Sequence, residues 1–211
     1  MTSSLRALCL CLLGAVAPSA PTPVDSVSPD LVSFHGPQQF GPVTATPASI
    51  DVETDLEPEH PGAIRARASV FVRATPEVVR DAVLDLQARA DEGWMVDAVS
   101  VYRDSRTDDH IHRRARWELS ILGIEITYHC RYDWDRERSQ IRWSLDESRD
   151  NDLDLAEGVY DLEARSGGTR LTYTVEVGSE HRAAKPLKRS ITARNVRKLL
   201  ESVRERAEGG R

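Results

Sequence analysis

The chain has 211 residues, 40% hydrophobic and 29% charged, which suffices for one packed core but not two and is too apolar for disorder throughout. Its net charge of −6 is uneven: residues 1–62 hold one basic residue, Arg6, against seven acidic ones, while residues 181–211 hold ten Lys/Arg against three Glu. A cationic C-terminal element thus sits on an acidic body, and because basic and aromatic residues do not interleave on one exposed strand face, nucleic acid is not an expected partner.

Residues 1–20 open with MTSSLR, a short apolar run ALCLCLLGAVA and small residues with prolines, the pattern of a secretory signal peptide that is too short to span a bilayer. The expected localisation is secreted or periplasmic. Removing that peptide leaves Cys130 alone, so no intrachain disulfide is expected and packing must supply the stability. Residues 21–62 contain eight prolines among Ser, Thr and acidic residues and read as a disordered linker.

At Ile64 the pattern changes. Ile64, Ala66, Ala68, Val70 and Val72 alternate with Arg65, Arg67, Ser69, Phe71 and Arg73, as in a half-buried strand. Thr75, Pro76 and Glu77 then start a helix whose buried stripe is Val78, Val79, Ala82, Val83 and Leu86, and a second short helix is predicted over Ala88–Trp94. Six further strands are predicted over Val96–Arg103, His110–Leu119, Ile124–Trp134, Gln140–Asp146, Gly158–Ala164 and Thr169–Gly178. The chain closes on a long amphipathic helix, Lys185–Ala207. The predicted class is α+β: a seven-stranded curved antiparallel sheet gripping the C-terminal helix, with two short helices after the first strand, over residues 63–208 and a tail at 209–211.

A connection through Ser120–Gly123 would pair Leu119 with Ile124, Trp117 with Ile126, Ala115 with Tyr128 and Arg113 with Cys130, leaving Arg114 beside His129 and His112 opposite Arg131. On the helix, Val196, Leu199, Leu200 and Val203 share an arc that continues back through Ala193, Thr192 and Arg189, while Leu187 and Ile191 fall on the other side. The second half should therefore plug the sheet, and the small residues of the first half should leave room for a cavity.

The segments ATPEVVRDAVLDL, GIEITYHCRYDWDRERSQIRWSL and EGVYDLEARSGGTRLTYTVEV, in this order before a long helix, resemble the START-like, helix-grip or SRPBCC superfamily, in particular its coenzyme Q-binding and polyketide cyclase-like branch. The resemblance implies binding of isoprenoid quinones, lipids or other apolar molecules, with some aromatase or cyclase enzymes, and carries no universal catalytic signature.

Trp117, Tyr128, Tyr132, Trp143, Tyr160 and Tyr173 all fall on the inferred inward face, where with Thr192 and Val196 of the helix they would fill the core or line a cavity for an apolar ligand such as a lipid or quinone. Arg113 is the one cation on that face and needs a carboxylate, a hydrogen-bond network or a ligand oxygen. His110, His112 and His129 share a face, but neighbouring arginines argue against zinc, and Cys130 has no base beside it. The acidic run from Asp146 to Glu157 lacks the glycine of a calcium loop and reads as solvated. With no phosphate loop or nucleophile elbow, catalysis is not indicated, and no metal or cofactor is expected. The leading reading is binding or transport of an apolar molecule between sheet and helix. The alternatives are a polyketide cyclase or dehydratase using Arg113 and a tyrosine, and a docking module whose basic helix meets a membrane or protein, with Leu187 and Ile191 touching the bilayer.

Overall fold

The computed structural model describes residues 49–91, 95–107, 109–121, 123–178 and 185–209. The elements in chain order are β1 (Val52–Leu56), β2 (Ile64–Val72), α1 (Pro76–Leu84), α2 (Ala88–Asp91), β3 (Val96–Arg106), β4 (His110–Ile121), β5 (Ile124–Asp135), β6 (Gln140–Leu145), β7 (Leu155–Arg165), β8 (Gly168–Gly178) and α3 (Lys185–Gly209). All eight strands join one sheet in the order β1-β2-β8-β7-β6-β5-β4-β3, with every pairing antiparallel. This is the α+β arrangement expected from the sequence, with one more strand. The leader-like residues 1–20, linker residues 21–48, Trp94 and residues 210–211 lie outside the described residues.

The extra strand, β1, falls inside the stretch 21–62 that composition marks as linker. Its sequence, VETDL, is too short and too acidic to announce itself, and its support is non-local. It pairs with β2, Ile50 just before it is buried in the core, the Ile50 carbonyl accepts from Arg197 Nε at 2.9 Å, and Asp55 meets Arg189 at 2.8 Å. Just beyond β1, the Glu176 side chain of β8 accepts the backbone N–H groups of Glu59 (3.0 Å) and His60 (2.6 Å), so the approach to β2 is also fixed by a distant strand.

The inward face follows the period-two pattern: Ala66, Ala68, Val70 and Val72 on β2 and Leu171, Tyr173 and Val175 on β8 are buried, and Val196, Leu200 and Val203 of α3 close over them. In α1, Val79, Ala82 and Val83 are buried as predicted, but Val78 is exposed. The β7–β8 turn requires glycine at position 168 because a Cβ there would collide with the Val72 carbonyl oxygen.

The β4–β5 hairpin differs from its predicted register by two residues. Ile121 pairs with Ile124, so Leu119 faces Ile126, Trp117 faces Tyr128, Ala115 faces Cys130 and Arg113 faces Tyr132. Both strands run further than predicted and close at Gly123, whose φ of +79° suits a tight connection. An even shift moves no side chain to the other face, which is why the inward set survives the error. The shift does change the outer neighbours: His129 opposes Arg116, and His112 opposes Asp133.

The predicted solvated loop after β6 begins instead with a buried anion. Asp146 accepts from Ser148 Oγ at 2.6 Å, Tyr102 Oη at 3.0 Å and Arg114 Nη1 at 3.2 Å. The Ser148 hydroxyl foremost, with Tyr102, the Ser148 N–H and Arg114, more than offsets burial and lowers its pKa to about 2. Because the folded value is depressed, the stabilisation is present above the ordinary Asp range and is lost as pH falls through about 2. Asp146→Asn is expected to reduce the unfolding free energy by about 2 kcal/mol at neutral pH, with the difference from the parent disappearing in denaturant titrations run near the low end of that window.

Candidate functional site

Three cross-strand aromatic pairs stand side by side on the inward face. Trp117 and Tyr128 pair across β4–β5 with ring centroids 6.2 Å apart and planes at 3°; Tyr132 and Trp143 pair across β5–β6 at 6.0 Å and 23°; Tyr160 and Tyr173 pair across β7–β8 at 4.1 Å and 9°. Strand alternation aims all six inward, and direct register opposition stacks them. Gly158, opposite Trp143, leaves the space its indole occupies, since a Cβ there would lie 2.5 Å from Trp143 Nε1.

Between this aromatic wall and α3 lies a cavity of about 410 Å³. All six aromatics line it, as do Thr192 and Val196, so eight of the nine residues singled out from the sequence meet at one site. Arg113 is the exception. Its Nη1 donates to the Leu84 carbonyl at the end of α1 and its Nη2 to Asp104 Oδ2 on β3 at 2.9 Å, so its charge is offset structurally and it does not line the cavity. Pairing with Asp104 across β3–β4 is invisible until the sheet order is known.

The cations the sequence reading missed are Lys198 of α3 and Arg89 of α2, both of which line the cavity. A four-residue helix carries too little periodicity to assign a face, so no local signal marked it. The helix wall reaches further than expected: the lining runs from Thr192 and Asn195 in the first half through Leu199 and Ser202 to Glu205, so the cavity extends into the later turns. Residues 200 and 203 are gripped by the core, the adjacent stripe at 195, 199 and 202 faces the cavity, and Val196 belongs to both.

Burial pushes the phenols of Tyr128, Tyr132 and Tyr173 well above their usual range and that of Tyr160 to about 12. At neutral pH these groups stay protonated and act as hydrogen-bond partners rather than bases. The Cys130 thiol is likewise pushed up by burial and lies outside the cavity lining. Among the described residues no three His, Cys, Asp or Glu side chains are grouped to hold a metal, and no helix is long and apolar enough to cross a membrane.

A sheet wrapped on one helix with an aromatic cavity between them is matched at the level of sequence: the family described as polyketide cyclase / dehydrase and lipid transport covers residues 63–208. The chain belongs to this family. Its fold is that of START-like, SRPBCC proteins, as the likeness to solved structures shows. A protein of Thermus thermophilus is 23% identical, with a TM-score of 0.57, over 69% of this chain and 98% of that one. A START superfamily protein from Mycobacterium smegmatis is 14% identical (TM-score 0.54; 70% and 99%), and a STAR-related lipid transfer protein from Xanthomonas axonopodis is 15% identical (TM-score 0.53; 76% and 99%). At these identities the likeness is one of fold. No curated protein matches the chain.

Proposed function

We propose that this START-like domain binds or carries an apolar small molecule, a lipid or quinone-like compound, in the cavity between its sheet and α3. The observation that carries the reading is the wall of three stacked aromatic pairs on one side of a 410 Å³ space. Burial of apolar ligand surface there contributes roughly 25 cal/mol per Å². Members of the family include both lipid-transport proteins and cyclases or dehydrases. Binding is favoured over catalysis because Arg113, the cation the cyclase reading needed, serves α1 and β3 and does not line the cavity. Native mass spectrometry with organic extraction of purified protein tests this: a retained apolar molecule is expected, and a protein that carries none and takes up none from a broad apolar panel overturns it.

The proposal extends to exported protein, supported by the leader-like residues 1–20, and to peripheral membrane contact through α3. Leu187 is 43% exposed on a helix rich in Lys and Arg, whereas Ile191 is half-buried and better placed for packing. Leu187→Ser is expected to reduce co-sedimentation with anionic vesicles while changing stability by less than about 0.5 kcal/mol, read from vesicle pelleting and thermal unfolding side by side.

A further inference from the structure

The charged residues in the cavity wall cancel: Arg89 and Lys198 stand against Glu201 and Glu205, and Glu201 lies 3.7 Å from Lys198. What the wall holds unmatched is neutral. Tyr132 lines the cavity at 6% exposure and Thr192 at 9%, and among the described residues neither hydroxyl has a hydrogen-bond partner. Neither is sealed in the packing, whereas the indole N–H groups of Trp117 and Trp143 are. The Ser202 hydroxyl, also in the wall, is taken by Arg206 at 2.8 Å. Beyond burial, the groups that act on Tyr132 are themselves uncharged, the Cys130 thiol and the phenols of Tyr128, Tyr160 and Tyr173. This part of the wall is polar without being ionic.

We infer that the ligand of this cavity is an uncharged molecule bearing a carbonyl oxygen that accepts from the Tyr132 hydroxyl on the sheet side, with Thr192 as a second hydrogen-bond partner from α3. Its apolar body lies against the aromatic pairs. This rests on the binding reading above and narrows it from any apolar molecule to a neutral, oxygenated one. A hydroxyl completes its bonding on a carbonyl with no counter-charge. A hydrocarbon in the cavity leaves both hydroxyls desolvated and unpaired, and a carboxylate or ammonium brings in a charge that the balanced wall does not neutralise. The Tyr132 ring is held by stacking on Trp143 at 6.0 Å, and Thr192 by the helix that buries Val196 one turn on, so both donors are positioned before a ligand arrives.

Three probes of one ring system separate the contributions: 2-acetylnaphthalene, 2-ethylnaphthalene and 2-naphthoate, each displacing a neutral solvatochromic dye from the purified protein. Naphthoate is expected to bind roughly tenfold or more weaker than the ketone, because its charge must be desolvated. Tyr132→Phe removes only the hydroxyl and is expected to lower the ratio of ketone to hydrocarbon affinity roughly tenfold, with Thr192→Val lowering it in the same direction. Thermal unfolding of the same samples checks the fold, and should Tyr132→Phe unfold, Thr192→Val carries the test. A ratio that the folded variant leaves unchanged, or naphthoate binding as tightly as the ketone, overturns the inference while leaving apolar binding intact. Failure of all three probes to displace the dye removes the binding reading itself.

Discussion

Replacing Leu200 with alanine is expected to lower the unfolding free energy by about 2–5 kcal/mol, one of the largest losses available from a single truncation in this domain. Leu200 is fully buried in α3, between Val196 and Val203 on the stripe that the sheet grips, and the helix has no disulfide to hold it once that contact is lost. The leucine loses its transfer free energy, and a void remains because the strands beneath are fixed by their ladders and collapse only partly. In a domain of this size the loss corresponds to a fall in Tm of about 5–20 °C. Ligand affinity measured well below that temperature should stay near the parent value, because position 200 does not line the cavity. A Tm within a degree or two of the parent would show that α3 is not clamped as the packing indicates.

The neighbouring substitution Leu199→Trp should do the opposite. Leu199 is half-buried and faces the cavity, so an indole there grows into empty space rather than into packed strands. Overpacking normally costs about 1–3 kcal/mol because neighbours must move, but here the added volume has room and stability should hold within about 1 kcal/mol. Affinity for apolar probes should fall roughly tenfold or more, since the indole takes the volume and the aromatic contacts the ligand would use. Dye displacement and thermal unfolding on the same sample decide the matter. A variant that keeps parent affinity would place the binding site elsewhere, and one that binds weakly only because it unfolds would show as a lowered Tm. Adjacent residues on one helix thus separate what holds the fold from what holds the ligand.

Much of this was legible in advance where the information was periodic. Alternation over β4, β5, β6, β7 and β8 put Trp117, Tyr128, Tyr132, Trp143, Tyr160 and Tyr173 on one face, and that assignment survived a two-residue register error because an even slip preserves the face. The helical wheel placed Val196, Leu200 and Val203 in the core for the same reason.

What the chain by itself determined, then, was the class of fold and the inward aromatic set, since both follow from spacings that any local segment carries. Only the tertiary structure decided which cations line the cavity. Arg113 lies on the inward face of its strand, yet Leu84 and Asp104, brought to it by α1 and β3, take its donors, whereas Arg89 on a helix too short to show a period is carried into the cavity wall. The same holds for β1 and for Asp146, whose partners Tyr102 and Arg114 lie on β3 and β4, far from it in sequence. A charge or a weak strand is fixed by what other elements bring to it, and distance along the chain carries no record of that.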